Sequence, residues 1–434
     1  MGALRPCHLD PDRRLGSTRR DTGRYHRPVA TATPTRHRSC LTAKQLCLLQ
    51  PNPIWLPKPY LFSDLSRCVS NNTRRKTTVR KSRRTLLASL GTAGAAALAG
   101  CAGGGGGGES DSLNAAWLYF SEVGDLGWTY SHDQGRKAAA AQLDYLETDY
   151  SESVPANRVE QSAVQYSENG FDIVFGASGT FTDAMSAAAE RRPDDAFLVA
   201  GGFQKGEAFS NFMSKLYHAR YLVGYASGMV TETDRIGYVA ANPVSSVYQE
   251  VNGFASGVQD ANPDATVYLR FSNTWFDPPK EGEIAQALID DRGVDVMAQH
   301  QDSPAVMRTA ADNGLWTSGY AADMSDFGGD KHLMDPVFKW ENVFVPIIEQ
   351  VRNGEWDADF VFPGIDDEAA DITEPSSGVP DDVVSEVTSI KEEMTADDPD
   401  SVVWEGSTFV DWSDEELLFS VDSVDFDNVE GRQL

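Results

Sequence analysis

The sequence predicts an α/β protein in two lobes, each a parallel sheet flanked by helices. Three observations carry that expectation. Short apolar runs recur from residue 114 onward, amphipathic segments with helical spacing separate them, and the roughly 320 residues involved exceed what one such sheet holds.

The elements follow in order. Residues 115–120, 171–175, 196–200, 236–239, 266–271, 294–298 and 315–320 read as buried strands, since each is a short run rich in aliphatic and aromatic side chains. Between them, 131–146, 156–167, 181–191, 218–231, 245–261, 280–291 and 304–313 read as amphipathic helices. The first lobe is expected over 114–233. The second spans 234–434, because Asp234-Arg235-Ile236-Gly237 starts a fresh strand after a long helix. A later helix over 342–352 and the acidic C-terminal portion cross back between the lobes and complete the second. Thr233 and Asp234, at the expected junction, read as hinge positions.

The chain ahead of the lobes has a different character. Residues 80–100 open with the basic run Arg80-Lys81-Ser82-Arg83-Arg84 and continue as a short apolar stretch of small residues, the pattern of a secretory signal. Arg83-Arg84 matches the twin-arginine form, used for export of folded proteins. Leu98-Ala99-Gly100-Cys101 reads as a lipobox, which makes Cys101 the acylated first residue of the mature chain and anchors it to the outer face of the cell membrane. Residues 102–113, with six consecutive glycines, read as a flexible tether. A signal cannot readily act 80 residues into a chain. Residues 1–78, with 15 Lys+Arg against 4 Asp+Glu, therefore read as translated upstream sequence, the natural start lying near Val79; the alternative is a basic, disordered extension.

Charge bounds the function. Residues 1–100 hold 19 of the 37 Lys+Arg and 4 of the 65 Asp+Glu, which leaves 18 and 61, a net charge of −43, for 101–434. Such an excess repels nucleic acid and anionic membranes, and self-repulsion strains the fold in dilute buffer. It suits molar salt, where charges are screened beyond about 3 Å, so the chain reads as halophilic. Acidic runs such as Asp366-Asp367-Glu368 and Asp397-Asp398 are then solvated surface. The segment 422–431 has a calcium-loop flavour, but lacks the glycine and closing glutamate such a loop needs.

Little in the chain suits covalent chemistry. Four of the five cysteines lie in 1–78 and lipidation consumes Cys101, so the mature protein has no thiol for a disulfide, a metal or a nucleophile. His132, His218, His300 and His332 are spread without metal-ligand spacing. "GASG" at 176–179 follows a strand but lacks the glycine spacing and lysine of a phosphate loop, and reads as a tight turn that admits a ligand to the backbone. No cofactor is expected.

Open α/β sheets bind ligands outside the carboxyl ends of their strands, and several polar and aromatic residues stand there. In the first lobe they are Asp125, Trp128 and Thr129, then Ser178, Gly179, Thr180 and Phe181; in the second, Asn242, Trp275, Gln299, Gln301, Asp302 and Asp323, with Lys339 further on. A tryptophan at such a place either covers the sheet end or stacks on a ligand. Two of them, from equivalent places in two lobes, favour a flat ring held between Trp128 and Trp275.

The stretches "GDLGWTYSHDQGR", "FDIVFGASGTF", "WFDPPKEGEIAQALID", "VDVMAQHQDSPAV", "GYAADMSDF" and "KWEN" together resemble the basic membrane protein family, the lipoprotein receptors of nucleoside-type ABC importers, over residues 114–354. The resemblance implies a type I periplasmic-binding-protein-like fold with the ligand in the interlobe cleft. It also implies that Trp128 and Trp275 sandwich a purine base, that Thr129 helps read the base, and that Asp323 and Lys339 hold the ribose of a nucleoside. Trp at 128 and Thr at 129, where the family more often has Phe and Asn, resemble a branch whose ligand is a free base such as adenine. The partners implied are a purine nucleoside or nucleobase and an ABC permease. A receptor for a simple sugar is the runner-up. An extracellular nucleoside hydrolase would need a carboxylate cluster able to hold a metal or activate water, and no Asp-rich motif stands at a strand end beyond the single Asp323. A signalling receptor that presents its closed form to a membrane sensor would share the same cleft.

Overall fold

The structure, a computed structural model, describes residues 112–204, 206 and 209–431. The upstream segment 1–78, the signal at 79–101 with Cys101, and the tether up to residue 111 lie outside the described residues. The described chain is the expected pair of parallel sheets flanked by helices.

The first lobe runs β1 (Leu113–Leu118), α1 (Gly127–Gln142), β2 (Leu146–Ser151), α2 (Val159–Glu168), β3 (Ile173–Gly176), α3 (Thr182–Arg191), β4 (Ala196–Ala200) and β5 (Phe209–Phe212). Its strands pair in the order β2-β1-β3-β4-β5, all parallel. Parallel strands covered on both faces are continuous apolar runs, and "IVFG" of β3 and "AFLVA" of β4 are buried at every position. The edge strand β2, "LETDYS", shows Glu147, Asp149 and Tyr150 to solvent. That polarity hid it: the sequence pattern ran a helix through 131–146, whereas α1 starts four residues earlier and stops before Leu143.

The second lobe begins with α4 (Tyr217–Val230), followed by β6 (Arg235–Ala240), α5 (Ser245–Ala261), β7 (Thr266–Phe271), α6 (Pro278–Arg292), β8 (Val296–Gln299), α7 (Ala305–Asp312) and β9 (Trp316–Ser318). The short α8 (Ser325–Gly328) leads to β10 (Pro336–Phe338), after which α9 (Glu341–Asn353) crosses to the first lobe and packs on α1. The chain then returns through β11 (Ala370–Ile372), antiparallel to β10, to α10 (Asp381–Ala396), α11 (Pro399–Val403), α12 (Asp414–Ser420) and β12 (Val429–Glu430). The second sheet is β12-β7-β6-β8-β9, again all parallel. The 422–431 segment is thus a sheet edge: Val424, Phe426 and Val429 are buried and Glu430 pairs with Tyr268.

The helix expected at 218–231 on the first-lobe side of the junction packs against α5 of the second sheet. Thr233 and Asp234 therefore sit inside the second lobe, in a turn whose Glu232 and Thr233 N–H groups donate to Asp295. The lobes are connected elsewhere, by three neighbouring segments. The Met213 N–H donates to the Val361 carbonyl and the Lys215 N–H to Pro363, each at 2.9 Å, while the Lys339 N–H donates to Ala369 at 3.1 Å. Asp400 ties this region to the C-terminal helices through Lys215, Tyr217 and His218. Burial opposes its charge, yet the His218 hydrogen bond and the Lys215 ammonium hold Asp400 well below the usual carboxylate range.

One apolar cluster spans these connections. Trp117 stacks on Phe175 at 4.7 Å, and Phe344 of α9 lies 4.9 Å from Phe175 and 5.6 Å from Phe212. All four are fully buried. At roughly 1.5–3 kcal/mol for each buried phenylalanine, this packing fixes α9 to the first lobe although its neighbours in sequence belong to the second.

Candidate functional site

In each sheet the strand order reverses direction about its first strand, β1 in one lobe and β6 in the other, which opens a crevice at the carboxyl ends of the strands. The two crevices share one cleft of about 900 Å³. From the first lobe it is lined by residues 120–126, the loop after β1, and by Thr129 in the first turn of α1. The second lobe contributes Trp275, Phe276 and Pro278 after β7, the loop 302–305 with Arg308 after β8, and Asp323, Asp326 and Phe327 after β9. A depression of about 310 Å³ over Asn342, Pro346 and Asp366 lies apart from these strand ends.

Of the residues expected at the site, Asp125, Thr129, Trp275 and Asp323 line this cleft, and Asp302 joins them. Thr129 is buried and its hydroxyl lies 2.7 Å from that of Ser121. Trp275 is 40% exposed, its ring 6.3 Å from that of buried His300. Asp323 accepts the Ser325 N–H at 3.0 Å, and its hydrogen bonds from Ser325 hold the carboxyl below its ordinary range.

The others stand back from the cleft. Trp128 is partly buried: its indole N–H donates to the Ala177 carbonyl at 2.8 Å, and its ring meets His132, Phe338 and Trp340 edge-on at 4.6, 5.4 and 5.5 Å. It therefore sits within an aromatic group joining α1 to the connecting segment, where His132 stacks on Trp340 at 4.1 Å and the Trp340 indole donates to Ser131. Burial keeps His132 neutral. Ser178 caps the turn Gly179–Phe181, accepting the Thr180 N–H at 3.3 Å, and Gly179 lies against the Gly201 carbonyl. Asn242 follows β6, with its carbonyl bonded to the Val244 N–H. Gln299 is buried beneath the β8–α7 loop, and Lys339 lies on a connecting segment.

Phe120, Ser121, Phe276 and Phe327 escaped the sequence reading. Phe120 and Ser121 were obscured because the apolar run continues to 120 while β1 ends at 118, which turns both residues into the loop. Phe276, 64% exposed, had its signal in "TWFDPP", where adjacent aromatics precede a helix opened by proline.

Behind the second-lobe wall lies a buried ionic group. Arg220 donates to Glu250 at 2.9 Å and to the carbonyls of Gln299 and Gly319 at the ends of β8 and β9, and His300 Nδ1 is 3.1 Å from the same Glu250 oxygen. Burial opposes the Glu250 charge, but His300 and Arg220 hold its carboxyl below its ordinary value. This group fixes two of the strand ends that carry the cleft loops.

Among the described residues, a hydrogen bond joins the two lobes across the cleft. The Trp128 N–H donates to Asp302 Oδ1 at 2.7 Å. Burial pushes the Asp302 carboxyl up to about 7, with the Glu281 charge adding to it and the Trp128 N–H opposing.

Residues 112–397 match a family model described as ABC transporter substrate-binding protein, PnrA-like. A Haloferax volcanii protein named "Putative ABC transporter glucose-binding protein TsgA13" is 43% identical over 324 residues, 75% of this chain and 82% of that one. A purine-binding protein of Brucella abortus is 33% identical over 275 residues, 63% of this chain and 78% of the relative. Among solved structures, an ABC transporter solute-binding protein from Conexibacter woesei aligns with a TM-score of 0.57 at 18% identity, covering 66% of this chain and 97% of its own. That likeness is one of fold, the type I periplasmic binding fold.

Proposed function

The chain belongs to the PnrA-like substrate-binding proteins of ABC transporters, and from that premise we propose that it captures a purine nucleoside or nucleobase and hands it to the permease. The observation that carries this reading is the cleft itself, which offers aromatic rings from both lobes, Phe120 on one side and Trp275 with Phe276 on the other. A flat ring held between such faces gains roughly 0.5–1.5 kcal/mol per aromatic contact beyond its buried area. Thr129 and Ser121 line the cleft with hydroxyls 2.7 Å apart, and in this reading the Asp323 carboxylate accepts hydrogen bonds from a ribose. Lys339, on a connecting segment, reaches the ligand in this reading only as the lobes move. Capture proceeds by closure about the three connecting segments, since a ligand touching both lobes stabilises the closed arrangement, and needs no covalent step. The export signal and lipobox support a location at the outer membrane face, anchored through Cys101.

A sugar is the second reading, favoured by the name of the Haloferax volcanii relative, the one of higher identity of the two. Aromatic faces stack on sugar rings as well. Tryptophan fluorescence of the protein in molar KCl, titrated in parallel with adenosine, adenine, ribose and glucose, separates the two. A saturable response to a purine and none to the sugars supports the proposal. A response to glucose alone replaces it with the sugar reading, and silence towards all four, repeated by calorimetry, overturns both.

A further inference from the structure

Helix α1 begins without a cap of its own. Its N-cap residue is Leu126, with no side-chain hydrogen bond, and its first turn contains no acidic residue. A helix start leaves N–H groups without intrahelical partners and gathers partial positive charge, so it favours an anion. Here the carboxylate comes from the opposite lobe, as Asp302 Oδ1 accepts the Trp128 N–H at 2.7 Å. The fit is steric as well as polar. Gly127 opens the helix at a φ of 82°, and a Cβ added there would fall on the Asp302 carboxyl group. The loop carrying Asp302 is also held from behind: the buried Gln299 amide donates to the carbonyls of Gln301 and Ser303, on either side of Asp302, at 3.0 and 2.8 Å. The Ser303 hydroxyl in turn donates to buried Glu281.

We propose that Asp302 is the charge-selecting residue of the cleft: by capping α1 across the lobes on closure, it admits uncharged ligands and turns away their phosphorylated counterparts. The inference rests on the reading that the ligand occupies this cleft. The α1 start is where an anionic group would gain most from backbone N–H donors, and Asp302 already holds it. A phosphate in the cleft also meets Glu122, Asp125, Asp323 and Asp326, with Arg308 as the one cation among the described lining residues. Closure around a phosphate either leaves α1 uncapped or sets two anions against each other.

The test is a calorimetric titration in molar KCl at pH 8, above the value of about 7 to which burial raises Asp302. Adenosine is compared with adenosine 5′-monophosphate, and glucose with glucose 6-phosphate, for the unmodified protein, Asp302→Asn and Asp302→Ala. The unmodified protein is expected to prefer the uncharged member of the pair it binds by a hundredfold or more, and both variants to lower that ratio at least tenfold. An unchanged ratio in both variants overturns the proposal and leaves the carrier reading intact, and so does an unmodified protein that binds the phosphorylated member equally well. If none of the four ligands binds, the carrier reading fails separately, and the cap is judged without ligand by hydrogen exchange over residues 120–135. Exchange at Trp128 accelerating at least tenfold in Asp302→Ala supports the trans-lobe cap, and unchanged exchange overturns it.

Discussion

At the scale of single residues, Asp302 couples closure to pH. With the lobes apart its carboxyl returns towards the ordinary value near 4, whereas where it meets the start of α1 burial raises it to about 7, against the pull of the Trp128 N–H. A carboxyl whose value rises on closing takes up a proton between those limits, so closure is favoured at the acid end and loses that support as pH rises through 7. Ligand affinity is therefore expected to fall between pH 5 and pH 8 and then level off, and Asp302→Asn to flatten the profile; a flat profile in the unmodified protein refutes this. The two tryptophans of the sequence reading occupy unlike surroundings. Trp275→Ala removes a 40% exposed ring from the cleft wall, so binding is expected to weaken about tenfold, equivalent to about 1.4 kcal/mol, with the melting temperature unchanged. Trp128→Ala instead strips an indole from the Phe338, Trp340 and His132 group, and thermal melts are expected to show a loss of about 2–4 kcal/mol. The reverse pattern would exchange their roles.

At the scale of elements, the crossing of α4 and α5 holds the second lobe together. Glycines let the two backbones touch: a Cβ on Gly257 would strike the Tyr221 carbonyl, and one on Gly224 the Phe254 carbonyl. Backbone cannot step aside as a flexible side chain can. Gly257→Val is therefore expected to cost about 1–3 kcal/mol or more, read as a lower denaturation midpoint, and an unchanged midpoint would mean that the helices are free to separate. The buried strands β3, β4 and β8 were legible because burial on both faces leaves near-continuous apolar runs. β2, β5 and β12 were not. β2 is a polar edge, β5 carries Ser210 and Asn211 between its two phenylalanines, and β12 has two residues whose partner strand lies some 160 positions earlier in the chain.

At the scale of the whole molecule, charge sets the conditions. The net charge of −43 over residues 101–434 makes the compact state self-repelling in dilute buffer. The melting temperature is expected to rise steadily from 0.1 to 2 M KCl as the Debye length shrinks from about 10 Å to about 3 Å or less, and a temperature independent of salt would remove the halophilic reading. The sequence by itself determined the alternation of strand and helix, the two-lobed class, the acidic surface and the loops that carry the cleft, because burial periodicity, charge and turn chemistry are local properties of the chain. Where the lobes join was decided only in three dimensions: α4 belongs with α5, and the connections run through 213–215, 339 and 361–363, because these depend on contacts between segments 30 to 148 positions apart that no local pattern records. The same holds for Asp302 at the start of α1, a bond across 174 positions that no local pattern records.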